Sequence, residues 1–200
     1  MEKNICIFGA STTWGAWDLE KGGWVNRLRL FIDSQESDIF VYNLGVSGDN
    51  TFDLLDRFDI EAEARQPNLF IFSIGDNDTI THSNGEHYVQ LSQYEQNIKE
   101  LIKKSKVFTN IIVFVGVKKV LDESKTTPVS WDDDVHYTNR NIEIYNSKLR
   151  TICEEEGVLF LDTLNLMAPG DIEDGLHPNS QGHEKIFQVV KDFLQEKEIL

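Results

Sequence analysis

Short apolar runs alternate with amphipathic helical patterns along the whole chain, and this alternation limits the possible folds more than any other feature. The apolar runs are rich in β-branched and aromatic residues. They occupy residues 5–8, 39–42, 69–74, 111–115 and 158–161. Runs of this length and composition predict strands that are buried on both faces, as in a parallel sheet.

Between the apolar runs, apolar residues recur at helical spacing. The predicted buried stripes are Trp24, Leu28, Phe31 and Ile32; Phe52, Leu55 and Phe58; Tyr94, Ile98, Leu101 and Ile102; and Ile186, Val189, Val190 and Phe193. Strand and helix in repeated alternation predict a doubly wound α/β domain around a parallel sheet. A length of 200 residues suits one domain over residues 1–200.

The net charge and the composition of the apolar segments limit the partners and the cellular location that we expect. The formal net charge is -15, which repels phosphate backbones and anionic lipid, so we expect neither nucleic acid nor membrane as a partner. The N-terminal apolar run is too short for a secretory signal, and no stretch approaches a membrane span, so a cytoplasmic protein is expected. Cys6 and Cys153 are predicted to be buried structural thiols rather than redox or metal-binding groups.

Glycine-bearing polar segments follow four of the predicted strands. Ser11 follows the first strand, and the other segments are 44–51, 73–79 and 173–183. In an open α/β sheet, ligands bind at the carboxyl ends of the strands, so these four segments should meet at one edge. A further segment, 117–138, has no clear periodicity and is long for a loop, which indicates a functional or mobile region. Its Trp131 and Tyr137 could form a lid or could pack the loop down.

The last polar segment carries Asp174 and His177, with Gly175 between them. A compact turn at this spacing can bring the carboxylate to imidazole Nδ1, which leaves Nε2 free to take a proton from a hydroxyl. Judged alone, the pair fits a turn aspartate and a surface histidine better.

Ser11 lies where the first strand gives way to small residues. Its hydroxyl needs a base before it can act as a nucleophile, and judged alone it fits a helix N-cap or an ST-turn better. The backbone N–H groups of Ser11 and Gly48 and the side-chain amide of Asn77 could supply the donors that a tetrahedral oxyanion needs. Alternatively, Gly48 is a turn glycine and Asn77 a turn amide.

Taken together and in this order, the four segments resemble the sequence blocks of the SGNH hydrolases, also called the GDSL esterases and lipases. The similar stretches are FGASTTWG, NLGVSGDNT, GDND and DGLH. The resemblance implies a three-layer α/β/α sandwich with a five-stranded parallel sheet in flavodoxin-like order. It implies Ser11 as nucleophile, His177 as base and Asp174 as its orienting partner. It also implies Ser11, Gly48 and Asn77 as the oxyanion hole.

The resemblance has one departure: Ala10 stands where the family usually has aspartate. That aspartate is not part of the triad, so the resemblance implies that the chemistry survives, although the aspartate normally helps to arrange the surrounding loops. Trp14 and Trp17, near Ser11, could stack on a sugar or aryl group or could equally pack against the sheet, whereas Trp24 is predicted to be core.

We expect no cofactor and no metal. Asp49, Asp76 and Asp78 could suggest a divalent cation, but Asp49 and Asp78 lie within motifs already explained. No phosphate-binding glycine loop is present, which argues against a nucleotide hydrolase. The histidines outside the DGLH stretch match no zinc spacing and are predicted to be solvated. They are His82, His87, His136 and His183.

The sequence thus predicts a serine esterase that hydrolyses small-molecule, short-chain carboxylic esters, and acetyl removal from a carbohydrate or small metabolite is a reasonable expectation. Two alternatives stay open. An alcohol acceptor in place of water would make the chain an acyltransferase, and loss of activity would leave a non-catalytic binding domain. The sequence leaves the oligomeric state open.

Overall fold

The computed structural model describes residues 3–35, 37–121 and 126–200. Its strands form one sheet in the order β2-β1-β3-β4-β5, with every neighbouring pair parallel. The strands are β1 (Lys3–Gly9), β2 (Ile39–Gly45), β3 (Leu69–Ser73), β4 (Ile112–Val115) and β5 (Leu159–Leu161). This is the flavodoxin-like order, so the fold class expected from the sequence is confirmed.

Helices cover both faces of the sheet. They are α1 (Ser11–Trp14), α2 (Trp24–Asp33), α3 (Thr51–Arg65), α4 (Leu91–Ser105), α5 (Asn139–Glu156) and α6 (Ser180–Glu196), with a short 3₁₀ helix at Asn77–Thr79. Side chains of α2 and α6 pack on one face of the sheet, and those of α3, α4 and α5 pack on the other. The result is a three-layer α/β/α sandwich.

The central strands divide their side chains between the two cores. Phe8, Phe72 and Phe114 pack under α3, α4 and α5, whereas Ile7 and Ile71 face α2 and α6. Each of these five side chains is fully buried. Burial on both faces explains why β1, β3 and β4 are continuous apolar runs rather than alternating ones.

The edge strands differ from this prediction. Phe40 in β2 is 48% exposed, and the residues of β5 are only partly buried. Both strands have a neighbour on one side only, so solvent reaches them. An apolar run therefore predicts a strand correctly here but overstates the burial of the two outer ones.

The buried face of α3 also differs from the predicted one. Leu54, Phe58 and Ala62 are fully buried at a four-residue spacing, whereas Phe52 is exposed. The helix begins at Thr51 and is capped by Asn50, whose side chain accepts hydrogen bonds from the N–H groups of Phe52 and Asp53. The packing of Leu54, Phe58 and Ala62 against the sheet fixes the rotation of the helix, so that Phe52 faces solvent.

The two cysteines are free and buried, as the sequence predicts. Burial raises the pKa of both the Cys6 and the Cys153 thiol to about 12, which keeps them uncharged. Among the described residues, no helix is long and apolar enough to span a membrane.

Candidate active site

Ser11 lies at the carboxyl end of β1, where the chain turns sharply into α1. Only glycine fits at position 9 in this turn. A Cβ there would clash, since it would lie 2.0 Å from Thr13 Oγ1 and 2.3 Å from the carbonyl oxygen of Ser73. The Ser11 hydroxyl Oγ lies 2.9 Å from Nε2 of His177. The first and the last polar segments therefore meet, as expected for the ends of parallel strands.

The Asp174 carboxylate is held in a tight turn beside the His177 ring. Its Oδ1 accepts the backbone N–H groups of Leu176 at 3.0 Å and His177 at 2.8 Å. Its Oδ2 lies 2.7 Å from His177 Nδ1. Partial burial disfavours its charge, but the hydrogen bonds from His177 and Leu176 outweigh burial and hold the pKa of Asp174 well below its usual range.

An ionised Asp174 fixes the tautomer of His177. A carboxylate can only accept, so Nδ1 of the ring carries a proton and donates it. In the neutral ring Nε2 is then the acceptor, and the Ser11 hydroxyl donates to it. This arrangement can draw the proton from Ser11 when the hydroxyl attacks an electrophile.

Asn77 and Gly48 lie in adjoining segments at the same edge. Asn77 is buried in the 3₁₀ helix, and its Nδ2 donates to the carbonyl oxygen of Asp49 at 2.8 Å. Nδ2 has two N–H groups, so one is left for another acceptor. Gly48, with a φ of 92°, lies between Asp49 and Ser47, a residue that lines the same cleft as Ser11.

Tyr137 fixes the orientation of the Asn77 amide, a role that the sequence did not suggest. Its hydroxyl donates to Asn77 Oδ1 at 2.7 Å, so the NH₂ end of the amide must face the other way. Burial, reinforced by the negative charge of Asp76, raises the pKa of Tyr137 and keeps the hydroxyl protonated. Tyr137 is 4% exposed, so this part of the long segment is packed down.

Asp78 joins the second and third polar segments. Its carboxyl group accepts hydrogen bonds from Thr51 Oγ1 at 2.5 Å and from the Thr51 N–H at 3.1 Å and 3.2 Å. Asn97 on α4 donates to the same hydroxyl at 2.9 Å. Burial raises the pKa of Asp78 to about 7 in spite of the hydrogen bonds from Thr51. The network holds the loop that carries Gly48 against the loop that carries Asn77.

Other contacts join the first and second segments without a carboxylate at position 10. Arg57 Nη2 donates to the carbonyl oxygen of Leu44 at 2.8 Å and to that of Gly9 at 3.4 Å, while its Nε pairs with Asp49 at 2.8 Å. Asn43 Nδ2 donates to the carbonyl oxygen of Thr13 at 2.9 Å. Ala10 is itself buried, so the position usually held by aspartate is filled by a methyl group.

The acidic residues that could have suggested a metal are paired with protein groups. Asp49 pairs with Arg57 at 2.8 Å, and Asp76 pairs with the buried Lys118 at 3.1 Å. In the part of the chain that the structure describes, no three His, Cys, Asp or Glu side chains are grouped so as to hold a metal ion.

Ser11 and His177 open into a cleft of about 510 Å³ with an aromatic wall. Trp14 and Trp17 line it and are 61% and 52% exposed. Trp131 stands beside the cleft, with its ring centroid 6.2 Å from that of His177. Trp24 is fully buried in the core, as predicted.

His183 contradicts the prediction that the other histidines are solvated. It is fully buried on α6, where its Nδ1 accepts the backbone N–H of Trp24 at 3.2 Å. Its Nε2 must therefore donate, and it lies 2.8 Å from the carbonyl oxygen of Ala16. Burial lowers the pKa of His183 to about 4, so the ring is neutral.

The fold and the site define an α/β hydrolase with a serine at the end of the first strand. The model of the GDSL-like lipase/acylhydrolase family matches residues 7–185 of the chain. The chain belongs to this family and is a serine ester hydrolase, so the resemblance inferred from its four sequence blocks is confirmed.

Similar proteins agree with this membership. An acetylxylan esterase from Geobacillus stearothermophilus is 26% identical over an alignment that covers 74% of this chain and 68% of that protein. A crystal structure of an acetylxylan esterase from the same organism has a TM-score of 0.73 at 22% identity, covering 97% of this chain and 93% of that one. The esterase EstA from Pseudoalteromonas has a TM-score of 0.75 at 21% identity, covering 98% of each chain.

Proposed function

We propose that this chain hydrolyses short-chain carboxylic esters through a triad of Ser11, His177 and Asp174. The observation that carries the proposal is the continuous hydrogen-bonded line from Ser11 Oγ to His177 Nε2 at 2.9 Å and from His177 Nδ1 to Asp174 Oδ2 at 2.7 Å. In the acetylxylan esterase of G. stearothermophilus, a serine-to-alanine and a histidine-to-alanine variant are catalytic mutants, which supports these two roles.

The reaction follows from the proton positions. His177 Nε2 takes the Ser11 proton while Oγ attacks the ester carbonyl, and Asp174 stabilises the imidazolium that forms. The imidazolium then protonates the leaving alcohol, which leaves an acyl group on Ser11. Water, deprotonated by the same nitrogen, attacks the acyl-enzyme and releases the acid.

The tetrahedral intermediate carries a negative oxygen that needs fixed donors. We assign the N–H groups of Ser11 and Gly48 and the Nδ2 of Asn77 to this oxygen. Ser11 begins a helix, so its N–H has no partner within that helix. The hydrogen bonds of Asn77 to Asp49 and Tyr137 support its role, since they hold the amide in one orientation before substrate binds.

An acetylated carbohydrate is the substrate class that the cleft supports best. Indole faces such as those of Trp14 and Trp17 offer flat apolar surfaces on which a sugar ring can stack. The relative at 26% identity is an acetylxylan esterase.

A panel of esters tests the proposal. Wild type should hydrolyse p-nitrophenyl acetate faster than the octanoate and should release acetate from acetylated xylo-oligosaccharides, while Ser11→Ala should do neither. An octanoate rate above the acetate rate would refute the short-chain proposal, and retained hydrolysis by Ser11→Ala would refute the nucleophile.

Methanol added to the same assay should leave acid as the main product; methyl ester as the main product would indicate an acyltransferase.

The remaining properties stay predictions from the sequence. They are a single domain over residues 1–200, a cytoplasmic location, no cofactor, and no nucleic-acid or membrane partner.

A further inference from the structure

The indole of Trp17 makes a direct hydrogen bond to the acid–base pair. Its Nε1 donates to Asp174 Oδ2 at 3.0 Å, the same oxygen that accepts from His177 Nδ1 at 2.7 Å. The Trp17 ring also lines the cleft beside Ser11 and is 52% exposed. One edge of the ring therefore contacts Asp174 while the ring remains open to a bound molecule.

The backbone of Trp17 adopts a conformation that bulky residues avoid. Its φ is 65°, in the left-handed region. The other described non-glycine residues with positive φ are Gln66 and Glu198, which lie at the ends of long helices where this conformation is common. A strained conformation at an exposed tryptophan points to a functional constraint.

Buried contacts on both sides of Trp17 hold this conformation. On one side, the carbonyl oxygen of Ala16 accepts from His183 at 2.8 Å. On the other, the buried Asp18 carboxylate accepts from Arg27 at 3.0 Å and from the Ser180 hydroxyl at 2.8 Å. Because both flanking residues are fixed to buried groups, the backbone of Trp17 is held in place, and in this conformation its indole reaches Asp174.

We propose that Trp17 is a positioning residue for the Asp174–His177 pair and, at the same time, a wall of the substrate cleft. The proposal rests on the proposed roles of Ser11, His177 and Asp174. A substrate that binds against the indole therefore contacts Trp17, the residue that orients the Asp174 carboxylate.

Loss of the indole N–H has two consequences for Asp174. The carboxylate loses a donor that limits its rotation, so the imidazole is held less firmly against Ser11. Its Oδ2 also keeps more negative charge facing the ring, which favours the imidazolium form. The first effect lowers kcat, and the second moves the acid limb of the pH–activity profile to higher pH.

Trp17→Phe tests the proposal, because it keeps an aromatic ring in the wall and removes the N–H donor. We expect kcat for p-nitrophenyl acetate to fall by about tenfold, as for the loss of one hydrogen bond. The acid limb of kcat/KM should move up by roughly 0.5–1 pH unit. Trp14→Phe is the matched control, since Trp14 lies in the same wall, and it should leave the acid limb in place.

A second variant covers the case in which Trp17→Phe folds poorly. Benzothienylalanine at position 17 keeps the bicyclic shape of tryptophan and replaces the N–H by sulfur, and it should cause the same two changes. If the acid limb and kcat stay at their wild-type values in either folded variant, Trp17 is not a positioning residue. If Ser11→Ala retains wild-type activity, the proposed function has failed instead.

Discussion

His177 and His183 belong to neighbouring parts of the chain, yet their surroundings give them opposite properties. His177 is hydrogen-bonded to an ionised carboxylate and to a hydroxyl, and its side chain is 14% exposed. His183 is fully buried between two backbone groups, the N–H of Trp24 and the carbonyl oxygen of Ala16. The first ring has a partner that stabilises a positive charge and a partner that can give up a proton. The second has neither in its hydrogen bonds.

The comparison distinguishes a histidine that is placed to transfer a proton from a histidine that holds parts of the fold together. An imidazole can take part in proton transfer when its charged form is stabilised and one nitrogen faces a reacting group. An imidazole that is buried against backbone groups stays neutral and works as a rigid hydrogen-bonding unit. The hydrogen bonds of His177 meet both conditions for proton transfer. His183 instead fixes the carbonyl group of Ala16, next to Trp17, whose indole contacts Asp174.

The largest expected effect comes from replacing the two histidines separately. His177→Ala should lower kcat/KM for p-nitrophenyl acetate by about 10⁴-fold with little change in the melting temperature. His183→Gln should instead lower the free energy of unfolding by about 1–3 kcal/mol, because it leaves buried backbone groups without their partner. Steady-state kinetics and thermal unfolding of both variants measure this. Equal losses of activity in the two folded variants would contradict the distinction between His177 and His183.

Asn77→Ala should have the next largest effect. It removes one donor from the proposed oxyanion hole, so kcat should fall by roughly 10²–10³-fold. Single-turnover kinetics with p-nitrophenyl acetate would locate the loss in the acylation step. A change in KM alone would make Asn77 a substrate contact rather than a donor to the transition state.

The pH dependence of stability sharpens the contrast further. The pKa of His183 is about 4 in the folded protein and 6.5 is its ordinary value, so between these pH values the ring gains its proton only on unfolding. Stability contributed by the neutral ring therefore falls as the pH drops from about 6.5 to about 4, by about 3 kcal/mol in total.

The protonation of Asp78 changes the stability of the fold in the opposite direction as the pH falls. The experiment must therefore isolate the contribution of His183. The pKa of Asp78 is raised from 3.8 to about 7, and its protonation favours the folded state as the pH falls through that range. Urea unfolding of wild type and His183→Gln at several pH values cancels the Asp78 contribution. The stability of wild type relative to the variant should decrease towards pH 4; a constant difference would contradict a buried neutral His183.

Tyr137→Phe should give the smallest effect. Without the hydroxyl, the Asn77 amide loses the bond that fixes its Oδ1, and kcat should fall by about tenfold. The same acetate assay measures it, with Tyr88→Phe as a control, because Tyr88 is an exposed tyrosine. A kcat equal to that of wild type would mean that the hydrogen bond from Tyr137 does not orient the Asn77 amide.

The sequence predicts those parts of the molecule that are encoded locally. The central strands follow from their apolar runs, and the contact between Asp174 and His177 follows from their spacing within a single turn. The burial of Phe40 is overstated because the position of β2 at the sheet edge depends on strand order. The outward position of Phe52 depends on which face of α3 packs against the sheet.

The residues that hold the proposed catalytic groups in place could not be predicted from the sequence, for a different reason. Trp17 meets Asp174 across 157 positions of sequence, His183 meets Ala16 across 167, and Tyr137 meets Asn77 across 60. None of these residues lies in a short motif with its partner, so no local spacing indicates the contact. The SGNH blocks contain the groups that we propose to act in the reaction, whereas the contacts that hold those groups in place are visible only in the packed fold.

Labelling by a fluorophosphonate tests most directly whether His177 activates Ser11. Wild type should form one covalent adduct, which peptide mapping places on Ser11. Ser11→Ala should form none, and His177→Ala should react far more slowly while remaining folded. An adduct that persists in Ser11→Ala, or labelling of His177→Ala at the wild-type rate, would contradict the account.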